Sequence, residues 1–187
     1  MKPIECDVFS SRDLHLEGLQ TFNGNLYVDG NLYLADPSIP LEDFDETYAP
    51  VELFGDVFVN GCIFGNAIII HGNLECNNLD CNSIIVDGNI TVTERATAIE
   101  LLHSTNGDIH CTSADTTNLI ANEGSIHIEE DLTAFSVKAL DTLFVGNNFI
   151  DVTEIVTGST VTVNGYIETS GGGYINIQVL SGGFHHS

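Results

Sequence analysis

The chain is 187 residues long and 43% hydrophobic, and carries 27 acidic against 4 basic side chains, a formal charge of -23. That apolar content suits one domain with a sizeable core and excludes a disordered acidic tail, so the charge must decorate a folded surface. Such a field opposes binding to nucleic acid or an anionic membrane and favours a protein partner with a basic surface.

The N-terminal stretch MKPIECDVFSSRDLHLEG has neither the basic start nor the apolar run of a signal peptide. No segment nears the ~20 apolar residues of a membrane span, and the chain is expected to be soluble and cytoplasmic. Five cysteines, none in a CxxC pair and with Cys76 and Cys81 five apart, read as reduced thiols of that compartment.

Residues 1–23 show no repeat and are expected to form an N-terminal cap over an open edge. From Gly24 a frame recurs: glycine, a small or polar residue, an aliphatic, any residue, a small apolar one. It reads GNLYV from Gly24, GNLYL from Gly30, GDVFV from Gly55, GNLEC from Gly72 and GNITV from Gly88. It continues as GDIHC from Gly107, GSIHI from Gly124 and, more loosely, GYIET from Gly165. The segment 36–50 interrupts it with three of the four prolines and five acids, and is expected to be an excursion. From Gly55 the intervals are 17, 16, 19 and 17 residues, with second apolar runs at Ile68 to Ile70, Ile84 to Val86 and Val161 to Val163. A last strand over Tyr174 to Leu180 leaves residues 181–187 as a tail, in which His185 and His186 read as frayed rather than as a ligand pair.

Val, Ile and Thr dominate, apolar residues alternate or run continuously, and Gly or Asn intervenes every few positions, so no helix of ordinary length fits. Units of this length bury an apolar face only by stacking. The expected fold is therefore all-β: a single-stranded β-solenoid over 24–180, a right-handed parallel β-helix with coils of 16–19 residues. Intervals of six, as in Val57, Ile63 and Ile69, keep the left-handed hexapeptide β-helix as the alternative. Glycine marks the corner, and Asn73 and Asn89 behind it are expected to stack as a polar ladder. Alternation sends Leu74, Ile90, Ile109 and Ile126 inward with Cys76, Val92, Cys111 and Ile128, and sends Glu75, Thr91, His110 and His127 outward.

His110 and His127 with Glu75 are the sharpest chemical candidates, since two imidazoles and a carboxylate on one face could hold a zinc-like ion or act as acid and base. The competing reading is that they are tolerated surface polar residues, and no metal or cofactor is expected. His71 invites comparison with acyltransferase histidines, but basic residues for a coenzyme-A diphosphate are nearly absent. Cys76, Cys81 and Cys111 read as small core residues rather than nucleophiles. Tyr27, Tyr33, Phe58 and Phe64, with Ile69 and Ile85, fall in the outward register and make an apolar stripe, an expected interaction surface unless 1–23 or 36–50 cover it.

The recurring motif in IIVDGNITV, LYVDGNLYL and LFGDVFVNGCIF resembles the bactofilins and related polymer-forming β-helix proteins, over roughly residues 24–180. The resemblance implies an end-to-end assembling scaffold without nucleotide or metal. The acidic excursion and high negative charge depart from that pattern. The expected function is a non-enzymatic scaffold or self-assembling interaction module. An acidic nucleic-acid mimic or inhibitor occupying a basic protein cleft is the alternative, and a hexapeptide-type acyltransferase the third.

Overall fold

The computed structural model describes residues 7–16, 22–34, 50–169, 176–179 and 184–186. Every element among them is a β-strand, and all strand pairings are parallel within one continuous sheet of 19 strands. The sheet winds on itself as a β-solenoid of about 8 turns.

Each coil is three-sided. The first face stacks Val8, Leu26, Val57 and Leu74 and continues in register to Phe184. The second runs from Leu14 through Leu32, Ile63 and Leu79 to Ile167. The third runs from Val51 through Ile68, Ile84 and Leu102 to Ile177. In the middle of the rod one strand passes round all three sides, as in Leu74–Val86 and Ile109–Ala121. Because strand side chains alternate, each face sends every second residue inward. The inward columns close one apolar core in which Leu32, Ile63, Ile84, Ile90, Leu102 and Phe149 are fully buried. Polar atoms that reach this core are satisfied: Ser104 Oγ lies 2.8 Å from the carbonyl oxygens of Gly88 and Gly107, and Thr157 Oγ1 donates to Asp141 O at 2.6 Å.

The corner leading into the first face is held by a side-chain ladder. Asn25 N–H donates to Asp7 Oδ1 at 2.9 Å, Asp56 N–H to Asn25 Oδ1 at 3.0 Å, and Asn73 N–H to Asp56 Oδ1 at 2.8 Å. Asn89 N–H then donates to Asn73 Oδ1 and Asp108 N–H to Asn89 Oδ1, both at 2.9 Å, and Ser125 N–H to Asp108 Oδ1 at 2.7 Å. Each Asx side chain thus satisfies a corner amide one coil further along, which accounts for the Gly-Asn/Asp dipeptide: a donor turned off the sheet needs an acceptor. The glycine before it is required because coils touch at the corner. Gly55 has φ +124, where side chains are disfavoured, and a Cβ there would strike the carbonyl of Gly24.

The inward and outward columns follow the expected frame, with Leu74, Ile90, Ile109 and Ile126 buried and Glu75, Thr91, His110 and His127 pointing out. The ends differ from expectation. Within the segment 1–23, expected outside the repeat, Val8–Ser10, Leu14–His15 and Phe22–Asn23 form a first coil, one strand on each face. Within the expected tail, Phe184–His186 pairs with Val161 to Val163 as a further first-face strand. The six-residue rhythm of Val57, Ile63 and Ile69 also fails at its second step, because Ile69 faces outward between the buried Ile68 and Ile70. Residues 36–49 of the acidic excursion lie outside the described residues.

Candidate interaction surfaces

Stacking places equivalent outward residues about 4.8 Å apart, so the functional geometry of this chain consists of columns. On the first face one column runs Phe9, Tyr27, Phe58, Glu75, Thr91, His110, His127 and Phe144. The rings stack: Phe9 on Tyr27 at 4.7 Å between centroids, Tyr27 on Phe58 at 5.0 Å, His110 on His127 at 4.8 Å and His127 on Phe144 at 4.5 Å.

The histidine pair does not assemble with Glu75, which lies two coils away with Thr91 between. The carboxylate that meets it is Glu129, whose Oε1 is 3.0 Å from His110 Nε2 and whose Oε2 accepts from Thr112 Oγ1 at 3.4 Å. The bond from His110 holds the Glu129 carboxyl below the usual range. Burial, helped by the neighbouring His110 and opposed by Glu129, keeps His127 below the ordinary histidine value. An imidazole binds a metal in its ring plane, and two planes 24° apart and 4.8 Å between centroids send their lone pairs alongside each other rather than to one point. No group of three or more His, Cys, Asp or Glu among the described residues is placed to hold an ion. As folded, the arrangement is an aromatic stack closed by the His110–Glu129 hydrogen bond.

Tyr33 and Phe64 belong to another side. They form a second-face column with His15, with His15–Tyr33 at 4.4 Å and Tyr33–Phe64 at 5.0 Å. Ile69 and Ile85 stand on the third face, adjacent in register. The six residues expected in one stripe are therefore divided two to a face. A six-residue step advances the chain to the next side of the same coil, whereas a step of 16–19 residues stays on one side. Phe9, 74% exposed on the first described coil, ends the first-face stack.

His71 sits at the corner between the third and first faces, stacked on Phe54 at 4.4 Å and paired through Nδ1 with Asp87 Oδ2 at 2.9 Å. Cys76, Cys81 and Cys111 are buried free thiols, as expected, and burial pushes all three up, Cys111 to about 12. Cys62, only partly buried, is raised to about 11, first by burial and then by Asp80. Burial thus disfavours the thiolate at all four.

The third face carries a feature that the sequence reading missed. Its outward columns run Ala67, Ser83, Leu101, Asn118 and Ser136, and beside them Ile69, Ile85, His103, Ile120 and Lys138. Over these five coils neither column contains a carboxylate, in a chain with 27. Glu52 stands one coil before the second column and Glu154 one coil after the first. Exposed hydrophobics border the face: Ile99 at 55% and Phe135 at 50% on the corner from the second face, and Leu140 at 50% on the corner to the first. Beside Ile99 and Phe135 an open hollow of about 420 Å³ is lined by Thr97, Asp115, Thr133 and Asp151, the last a non-glycine residue at φ 63. Asp115 there accepts from Arg95 at 3.1 Å. The signal for this face lay in comparing the second apolar run of successive coils, AIII, SIIV, LLHS, NLIA and SVKA, rather than the glycine frame.

No protein-family model, no curated protein and no solved structure matches the chain.

Proposed function

We propose that the chain is a non-enzymatic scaffold: an acidic β-solenoid rod whose side-chain columns bind further copies of itself or a protein partner with a basic surface. The observation that carries this reading is the form of the outward surface. Its aromatic and aliphatic side chains line up in register along the rod, as in Phe9–Tyr27–Phe58 and Ile69–Ile85, instead of converging on a point. Columns present extended contact area, which suits binding to another surface. The repeat-level resemblance to bactofilins points the same way, and the unpaired buried thiols fit a reducing cytoplasm.

A second reading is favoured by the charge of -23: the rod acts as an acidic mimic that occupies a basic protein cleft. Salt separates the two. Apolar self-association strengthens as salt screens repulsion, whereas binding to a basic partner weakens steeply. Sedimentation of the full chain from about 50 to 500 mM salt is expected to show larger species at higher salt. Pull-down with mass spectrometry at low and moderate salt identifies basic partners. A monomer at every salt concentration with no partner recovered would overturn the scaffold reading, and a salt-labile basic partner alone would install the mimic in its place.

A further inference from the structure

We infer that the third face is a homodimer interface, on which a second copy of this chain docks with its rod axis reversed. The inference rests on the scaffold reading and names its partner. A partner with a basic surface has no reason to choose this face, because its outward columns hold no carboxylate over five coils and do hold Lys138. A second copy has every reason. Two rods of charge -23 repel wherever acids face acids, and on this side the two outward columns hold no carboxylate, while Glu100 at their margin accepts from Ser83 Oγ at 3.3 Å.

The order of residues along the face fixes the arrangement. The column Glu52, Ile69, Ile85, His103, Ile120, Lys138 is self-complementary when read against itself in reverse. A twofold axis lying in the interface along the strand direction, midway between the coils of Ile85 and His103, sets Glu52 against Lys138 of the second copy. It also sets Ile69 against Ile120, and Ile85 against His103, and the symmetry repeats each pair. Two opposite-charge pairs then close the ends of an otherwise uncharged row, five coils or about 24 Å apart. The same-direction arrangement would place Lys138 against Lys138.

The size of the face sets the strength. Six coils by the width from Phe135 to Leu140 make about 30 Å by about 20 Å, so about 1,200 Å² is buried over both copies, at the lower edge of specific interfaces. Packing of Ile99, Phe135 and Leu140 on the rims adds exposed apolar area to the contact. A dimer of this size is expected to be concentration-dependent.

Sedimentation equilibrium of the full chain from about 1 to 500 µM in about 0.3 M salt tests this. The wild type is expected to pass from monomer to dimer. Ile85→Lys, an outward position that leaves the core intact, should raise the dissociation constant at least about tenfold. Glu52→Lys and Lys138→Glu should each weaken the dimer, and the double reversal should restore it. Circular dichroism of each variant controls for folding. A wild-type monomer throughout overturns the inference, as does a dimer indifferent to Ile85→Lys, or a double reversal no tighter than either single one. A self-association abolished by Phe9→Ser but not by Ile85→Lys overturns the third-face interface while leaving the scaffold reading standing.

Discussion

Replacing a surface glycine by alanine usually stabilises a protein by about 0.4–1 kcal/mol when the backbone allows it, because the unfolded chain loses freedom. Gly72→Ala is expected to do the opposite. Its φ lies outside the left-handed region, so the backbone itself permits alanine. The obstacle is the neighbouring coil: a Cβ would press on the carbonyl of Gly55 and lie 2.9 Å from Asp56 N, backbone atoms of the adjacent corner. Relief requires the two coils to part at that corner by roughly half an ångström to one ångström. Three bonds cross or adjoin the gap: Gly88 N–H to Gly72 O, Val57 N–H to Asn73 O and Asn73 N–H to Asp56 Oδ1, each at 2.8 Å. Weakening two or three at about 1 kcal/mol each, against the entropic gain, leaves a net loss of about 1–3 kcal/mol. Gly65→Ala is the comparison. The nearest atoms to a Cβ there belong to side chains, Ile68 Cδ1 at 2.8 Å and Cγ1 at 3.1 Å and Leu34 Cβ at 3.3 Å, so its cost is core crowding around the buried Ile68 and not contact with a corner carbonyl. Urea unfolding followed by far-ultraviolet circular dichroism should place the Gly72→Ala midpoint well below wild type. A midpoint at or above wild type would refute contact between coils as the reason for the corner glycines.

Ile109→Asp should unfold the rod or nearly so, since it buries an unpaired carboxylate at a cost of several kcal/mol, whereas Thr91→Asp, outward on the adjacent coil, should be mild; thermal melts compare them. His127 and His103 are both held below the ordinary histidine value of 6.5, first by burial, so the fold favours their neutral forms. Their contribution is complete above that value and is lost as pH falls through the depressed folded values, because the unfolded chain takes up protons first. Denaturant midpoints measured between about pH 7.5 and 5 should therefore decline, and less in His127→Phe, which keeps an aromatic ring against Phe144. Cys76, Cys81 and Cys111 should react with a thiol reagent only on unfolding, with Cys62 ahead of them; fast modification of all four in the native protein would contradict the burial of that core. The double variant His110→Ala with His127→Ala should leave the metal content of the purified protein unchanged, measured by atomic emission.

The core was legible because the glycine frame recurs at the coil length, so residues two and four after each glycine fall into buried columns. The first coil was not, since Asp7 and Asp13 stand where later coils have Gly-Asn, and no glycine precedes either. The surviving cue is the parallel between Asp7-Val8-Phe9 and Asn25-Leu26-Tyr27, and between Asp13-Leu14-His15 and Asn31-Leu32-Tyr33, which the structure stacks directly. The site residues were legible by direction but not by side. Alternation tells inward from outward at Tyr27, Tyr33 and Ile69 alike, but it is blind to side, and the six-residue step that marks the change of side is too irregular along the chain to stand out. The partner of the histidines was missed for a related reason: Glu129 reaches His110 across the corner from the following coil, at a sequence separation of 19.

The pairing of Leu26 with Val57 spans 31 residues, whereas Val57 with Leu74 spans 17, and yet both pairs sit in one register. A coil therefore does not measure its perimeter; it measures only where each side begins. Lengthening the path at a corner costs loop-closure entropy of only about 0.6 kcal/mol per doubling. The rod is in this sense a ruler with a free margin: sequence can be added at the corner after Leu34 without altering the spacing of the faces. New binding segments can arise there, or be grafted there, while the columns keep their pitch.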